Sequence, residues 1–381
     1  MRGVLFAILF VVSTVLAGCI SEGDAPQTTS VAEEEIIKDD GKIKVKDIKV
    51  DLDRVPSLDE PPQWRLGQWW KYRMTDSFTQ QETIFYRVVA GQENDTGSYL
   101  VGMPTHGFSN AVMVLHIPGF GQIDRQTLGF ELHDCMLDPL KFPIEDGAQW
   151  ESEFECGDVQ ITATVTSDTT AEFVMAPHDP EGDGGGGRGG TYSYDAEIGV
   201  INKMTINNYA QFEVIEHGHD FHLVEGWEGN VTVPYAHDVI FMHGRIGMAL
   251  KVSPDGIAPG TEPWDEVVVP EGYDRVSFAI ILGDALNLLT QGQAKGMGHY
   301  TERATAPDDE VYYLEYTGDG IRTVAYKNDN PSGTWRFEHL TAGPGIAMAE
   351  GIAYSVFDIQ LPIGKRIEGV LEHEHPDGKG H

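Results

Sequence analysis

The chain has 381 residues, which is enough for two ordinary domains with hydrophobic cores. It carries 60 acidic and 26 basic side chains, so its formal net charge is −34. Such a charge repels nucleic acid and anionic lipid head groups, and we expect no nucleic-acid partner. The acidic residues are scattered rather than blocked, which favours adaptation to high salt over an acidic metal buffer. A halophilic or marine prokaryote, and an archaeon in particular, is therefore the expected source.

The first eighteen residues form a candidate signal peptide. Arg2 supplies a positive charge, an apolar run follows it, and small residues stand before Cys19. The ending Leu-Ala-Gly-Cys at residues 16–19 resembles the lipobox of prokaryotic lipoproteins. The resemblance implies cleavage before Cys19, a lipid on Cys19, and an extracytoplasmic protein anchored to the cell membrane. The alternatives are an uncut transmembrane anchor and a conventionally cut secreted protein.

The rest of the chain divides by composition into four segments. Residues 19–62 are acidic and poor in aromatic side chains, which predicts a flexible stalk. Order is expected from residue 63, in a first domain over 63–226 and a second over 227–367. The last segment, 368–381, is a polar, histidine-rich tail.

Short runs of β-branched and aromatic residues, separated by turn residues every ten or so positions, predict antiparallel strands. No segment shows a sustained helical period. The fold class is therefore expected to be all-β, with a curved antiparallel sheet or half-barrel followed by a β-sandwich. The candidate strands are residues 84–89, 98–101, 161–165, 171–175, 200–206, 210–215, 248–252, 267–269, 276–282, 311–316, 322–326, 334–340 and 352–359.

Three phrases in the first domain resemble exported proteins. The sequence GQWWKY at 67–72 is similar to the opening strand of many exported archaeal proteins, and residues 142–150 and 194–203 resemble a turn and a hairpin of the same proteins. Together they resemble curved-sheet lipoprotein carriers and lipocalin-like half-barrels. The sequence PSGTWRF at 331–337 resembles a strand of jelly-roll or immunoglobulin-like modules. These motifs are structural and imply no catalytic residue.

Two cysteines remain beyond the leader, Cys135 and Cys156. Cysteines of an exported chain most often pair, so we expect a disulfide, which would stabilise the fold by roughly 3 kcal/mol. The alternative is two free buried thiols. A metal site is not expected from these two residues, because no CxxC spacing is present.

Histidines supply the candidate metal site. His217 and His219 lie two positions apart at the end of a predicted strand, and such residues face the same way. His222 follows closely and could be the third ligand of a transition metal. The alternative is a set of solvated histidines at a strand edge.

The remaining motifs are weak. Asn94 and Asn230 begin glycosylation sequons, which are plausible on an exported chain. The aromatic side chains between residues 64 and 72 could stack on sugars, although core positions are favoured. Serine-nucleophile, phosphate-loop and HExxH motifs are missing from the sequence.

We therefore expect a membrane-tethered extracytoplasmic binding or structural lipoprotein with no catalytic activity of its own and no required cofactor. Its ligand would be apolar, a carbohydrate or an envelope protein. The alternative is a metal-dependent enzyme or metal-binding protein that holds a transition metal with His217, His219 and His222.

Overall fold

The computed structural model describes fifteen stretches of the chain. The predicted signal peptide, Cys19, Asn94, Cys156, His222, the tail 368–381 and the candidate strand 248–252 lie outside them. The described residues are 48, 50–51, 53–76, 81–93, 97–108, 119–132, 135–154, 157–177, 189–206, 210–221, 229–242, 265–283, 299–317, 320–341 and 346–361.

Strands β1 to β12 occupy the part of the chain before residue 226. They are β1 (Trp69–Asp76), β2 (Glu82–Gln92), β3 (Tyr99–Pro104), β4 (Gly121–Ile123), β5 (Phe130–Leu132), β6 (Cys135–Leu137), β7 (Gln149–Phe154), β8 (Gly157–Val165), β9 (Thr170–Pro177), β10 (Gly190–Asp195), β11 (Val200–Ile206) and β12 (Ala210–Gly218).

Strands β13 to β20 follow in the second part. They are β13 (Asn230–Met242), β14 (Asp265–Val269), β15 (Arg275–Gly283), β16 (His299–Thr305), β17 (Val311–Thr317), β18 (Gly320–Lys327), β19 (Gly333–Thr341) and β20 (Ile346–Gln360).

Most strands join one open 14-stranded sheet, in the order β18-β15-β20-β13-β3-β2-β1-β12-β11-β10-β9-β8-β7, with β4 paired to β3. A 4-stranded sheet has the order β14-β19-β16-β17, and β5 pairs with β6. The expected all-β, antiparallel fold class is confirmed. Within the described stretches, no helix is long and apolar enough to cross a bilayer.

The large sheet is continuous across the predicted domain boundary at residue 226. Val231 and Thr232 of β13 pair with Pro104 and Met103 of β3. This short ladder joins the strands of the first part to those of the second. The division into domains at this boundary stays a prediction.

Side chains reinforce that joint. Arg275 of β15 forms an ion pair with Asp358 of β20, and its Nη1 donates to the hydroxyl of Thr232 at 3.1 Å. The Thr232 hydroxyl donates to Asp358 at 2.6 Å and lies 2.9 Å from the hydroxyl of Thr105. Because Thr105 directly follows β3, the network links both parts of the chain.

The two faces of the large sheet are occupied differently. We call the inner face the one that carries Trp70 and Tyr72 of β1, and the outer face the one that carries Trp69. Alternate residues of a strand point to opposite faces, which explains this division. The inner face holds the main core, which includes Met74, Tyr99, Val101, Met103, Phe173, Tyr192, Tyr194 and Phe212.

The 4-stranded sheet packs on one end of the large sheet and encloses a second core. Phe278 of β15 contacts Trp335 and Phe337 of β19, with ring centroids 5.0 Å apart in each pair. This face-to-face packing of two antiparallel sheets is the architecture of a β-sandwich.

Part of the predicted stalk is packed against the body. Ile48 and Leu58 are buried in the inner-face core, and the carbonyl of Leu58 accepts a hydrogen bond from the amide of Ile144 at 2.8 Å. At these two positions the structure differs from the expectation of a flexible stalk over 19–62, and residues 19–47 of that segment lie outside the described residues. Ile48 and Leu58 join a core whose other members come from distant strands, which the composition of the segment alone does not reveal.

Candidate functional site

The predicted histidines lie at the end of β12, next to the entrance of β1. His217 pairs with Trp70 in the ladder and is exposed, and Gly218 pairs with Trp69. His219 follows directly after the strand. The structure therefore places the two histidines at one corner of the large sheet, where both are exposed.

The surroundings of His219 disfavour its protonated form. The pKa of His219 is lowered from 6.5 to about 4, chiefly by desolvation and next by the positive charge of Arg65. Asp220 acts in the opposite direction, and His217 contributes a smaller lowering effect. A neutral imidazole can ligate a metal, whereas a protonated one cannot.

A third metal ligand is not brought to this corner by the described part of the chain. No group of three or more histidine, cysteine, aspartate or glutamate side chains within it could hold a metal ion. His222, the predicted third ligand, lies outside the described residues. The metal site stays a prediction.

The other predicted sites are placed only in part. Cys135 is the first residue of β6 and pairs with Leu132 of β5. Asn230 is exposed and begins β13. Since Cys156 and Asn94 lie outside the described residues, the disulfide and that sequon also stay predictions.

The aromatic run near residue 64 belongs to the core. Trp64, Trp70 and Tyr72 are buried on the inner face, and Trp69 is buried on the outer face against Tyr86 and Phe221. These rings are not available for stacking on a sugar at the surface.

A buried arginine on the inner face was not predicted. Arg87 of β2 lies opposite Trp70 in the ladder and is only 5% exposed. Its guanidinium carbon lies 5.7 Å from the ring centre of Trp70, 5.6 Å from that of Tyr72 and 6.0 Å from that of Phe120. Three aromatic faces thus surround one cation, an arrangement that is electrostatically favourable.

The polar contacts of this arginine are few. Its Nη1 donates to the Tyr72 hydroxyl at 3.1 Å, and that hydroxyl donates to the carbonyl of Ile201 at 3.0 Å. The Nε is buried and has no hydrogen-bond partner in the described part of the chain. Burial raises the pKa of Tyr72, while the charge of Arg87 and its hydrogen bond oppose that rise.

The guanidinium lines a small cavity. The cavity has a volume of about 30 Å³, and its walls include Tyr72, Gly119, Leu128 and Phe130. Apart from Arg87 and Tyr72, most of the lining side chains are apolar. This volume suits a single ion or one to two water molecules and is far below the roughly 300–1,000 Å³ of ordinary ligand pockets.

A second exposed feature is the outward face of the 4-stranded sheet, which we call the sandwich face. Val268 of β14 and Tyr313 of β17 are 66% and 64% exposed there. Arg303 pairs with Tyr313 in the ladder and forms an ion pair with Glu338. The face combines apolar, aromatic and cationic side chains.

Comparisons with known proteins identify no family for this chain. No protein-family model and no curated protein matches the chain. Two solved structures of PNGF-II, in space groups P21 and C2, are 8% and 9% identical to it. The first covers 79% of this chain and 70% of that chain at a TM-score of 0.19, and the second covers 75% and 67% at 0.18. At scores this low, these structures carry no argument about the fold or the function of this chain.

Proposed function

We propose that this protein is a membrane-tethered extracytoplasmic lipoprotein that binds an envelope protein and has no catalytic activity of its own. The tether rests on the lipobox-like sequence that ends at Cys19. The binding role rests on one observation, the exposed aromatic and cationic side chains of the sandwich face. The two parts of the proposal are tested separately.

The inner face of the curved sheet is a poor place for an apolar or carbohydrate ligand. Its aromatic side chains are buried in the core, and the cavity beside Arg87 measures about 30 Å³. A sugar ring or an acyl chain needs several times that volume. A macromolecular partner on an outer surface therefore suits the architecture better.

The composition of the sandwich face favours a protein partner. Tyrosine and arginine are over-represented at protein interfaces, where they supply much of the binding energy. Tyr313 presents its ring to solvent, and Arg336 is 60% exposed while it pairs with Glu266 at 3.1 Å. A partner carboxylate could replace Glu266 at little cost, because exposed ion pairs are weak.

The tether is tested with Cys19→Ala and the matched control Cys135→Ala. A radioactive lipid precursor should label the wild-type protein and the Cys135→Ala variant but not the Cys19→Ala variant. The intact mass of the mature wild-type chain should begin at Cys19 and include the lipid. An unlabelled wild-type protein that begins at Met1 would refute the lipoprotein.

The binding surface is tested with a photo-crosslinking residue at position 313. The matched control carries it at Val174 of β9, which is 52% exposed on the curved part of the sheet. Irradiation of intact cells should give an adduct of one defined mass at position 313 and none at 174, and Arg336→Glu should weaken it. Equal labelling at both positions, or none at 313, would refute the sandwich face as the binding surface.

A second candidate function is a metal-dependent enzyme or metal-binding protein centred on His217, His219 and His222. The neutral state of His219 beside His217 is the observation in its favour. Tag-free protein that is purified with mild chelation would then retain a stoichiometric transition metal, and His217→Ala would lose it. Metal-free wild-type protein would exclude this function.

A further inference from the structure

Arg87 is a buried cation, and no carboxylate pairs with it among the described residues. Its side chain is 5% exposed. A guanidinium offers five N–H donors; within the described stretches Nη1 donates to Tyr72, while the buried Nε has no acceptor. A buried charge is costly unless it is paired and hydrogen-bonded, so this site lacks its usual compensation.

The neighbouring groups compensate for only part of this cost. The faces of Trp70, Tyr72 and Phe120 stabilise a positive charge through their quadrupoles. They accept no hydrogen bond from Nε, which is buried without a partner among the described residues. The Tyr72 hydroxyl has already donated its single proton to Ile201, so toward the guanidinium it acts as an acceptor.

The backbone at Gly119 packs directly against the guanidinium. Gly119 has a φ of +103°, and a Cβ at this position would collide with Nη2 of Arg87. Glycine is the residue that adopts this conformation without strain and lets the chain approach so closely. Arg87 and Gly119 both line the neighbouring cavity of about 30 Å³, which has the size of one small ion.

We propose that this cavity binds a small monovalent anion, held by the Arg87 guanidinium. An anion supplies both the missing charge and the missing hydrogen-bond acceptor, whereas a water molecule supplies only the acceptor. Chloride fits the space and is abundant in the salty surroundings to which an acidic surface is suited. The site does not depend on the tether or on a protein partner.

Crystals of the protein grown in sodium bromide locate the ion directly. The anomalous map should show one bromide within hydrogen-bonding distance of the Arg87 guanidinium. Crystals of Arg87→Met should lack that peak and keep any surface peaks. Two results with the wild-type protein would overturn the proposal. One is bromide at the surface alone, which would indicate an adventitious ion only, and the other is a water molecule in the cavity.

Melting temperatures test the same site in solution. At equal sodium concentration, the wild-type protein should melt roughly 2–5 °C higher in chloride than in gluconate, which is too large for the cavity. Arg87→Met should lose this difference. The matched control Arg125→Met should keep it. Arg125 lies away from the cavity, with its guanidinium carbon 5.1 Å from the ring centre of Tyr99.

If Arg87→Met does not fold, the bromide map of the wild-type protein decides alone. Equal melting temperatures of the wild-type protein in the two salts would also overturn the proposal.

Discussion

Trp64 donates its indole N–H to the carbonyl of Gly199 at 2.7 Å, although 135 positions separate the two residues along the chain. Its ring lies 4.9 Å from that of Trp70, whose own N–H donates to the carbonyl of Ile198 at 3.0 Å. Two indoles thus fix the turn between β10 and β11 to the segment at the start of β1. The contact ties the segment that precedes β1 to two strands much later in the chain that belong to the same sheet.

Replacing Trp64 with phenylalanine should lower the free energy of unfolding by about 1–3 kcal/mol, because the carbonyl of Gly199 loses its donor in a buried place. Urea denaturation measures the loss. The matched control is Trp150→Phe, since the half-buried Trp150 donates to the carbonyl of Asp138 at 2.9 Å. The Trp150→Phe variant should lose less free energy of unfolding than Trp64→Phe. Equal losses in the two variants would show that burial does not set the strength of these hydrogen bonds.

Replacing Arg275 with methionine should destabilise the joint between β13, β15 and β20 by about 1–3 kcal/mol, since its bonds to Asp358 and Thr232 are charge-assisted. The half-exposed Asp358 can recover water, which limits the loss. The control Arg336→Met breaks an exposed ion pair and should cost less than about 1 kcal/mol. Thermal unfolding compares the two variants, and a larger loss in the control would contradict this assignment.

The low pKa of His219 predicts a pH dependence of stability. The folded protein holds this histidine neutral down to about pH 4, whereas the unfolded chain protonates it near 6.5. Between these values the unfolded state binds more protons, so stability should fall as the pH drops through this window and stay constant above it.

Proton NMR of the His219 ring should show a titration midpoint near pH 4. Arg65→Met should raise that midpoint, because it removes a positive charge beside the ring. His219→Gln should remove this histidine's share of the stability change between pH 6.5 and 4. A midpoint near 6.5 in the wild-type protein would contradict the desolvation of this ring by its neighbours.

The acidic excess predicts a general effect of salt. With a formal net charge of −34, repulsion between surface carboxylates should weaken as the screening length falls from about 10 Å at 0.1 M to about 3 Å at 1 M. The melting temperature should therefore rise over this range in both chloride and gluconate, and sulfate should raise it more. A flat profile in all three salts would show that the acidic surface is not a salt adaptation.

The sequence predicts strands best where one face of the sheet meets solvent. Residues 161–165 and 171–175 fall within β8 and β9, whose side chains alternate between buried and exposed. In contrast, β13 is absent from the candidate strands that the sequence predicts. Its residues 231–234 are all buried, so they show no alternation, and Pro234 interrupts the pattern. The pairing of β3 with β13 joins residues more than a hundred positions apart, which no local pattern encodes.

The candidate sites, too, depend on contacts between distant residues that local sequence patterns do not encode. Arg87 is the single charged residue of the apolar run 84–89, which is a visible signal of a special position. Its burial, however, depends on Phe120 and Gly119, which reach it from a distant segment. The low pKa of His219 likewise depends on Arg65, which lies far away in the sequence. Sequence identifies such residues, and only the fold supplies their surroundings.

Strand β1, the first strand of the described residues, lies inside the large sheet, with β2 on one side and β12 on the other. An edge strand that is pulled from one end opens one hydrogen bond at a time. A central strand that is pulled along its axis must break the bonds to both neighbours together. If the protein is held at its N-terminus and a force acts on its body, that force reaches β1 along the strand axis, as a shear force. The sheet order therefore places a strand that is hydrogen-bonded on both sides next to the N-terminal segment through which a tether would pull.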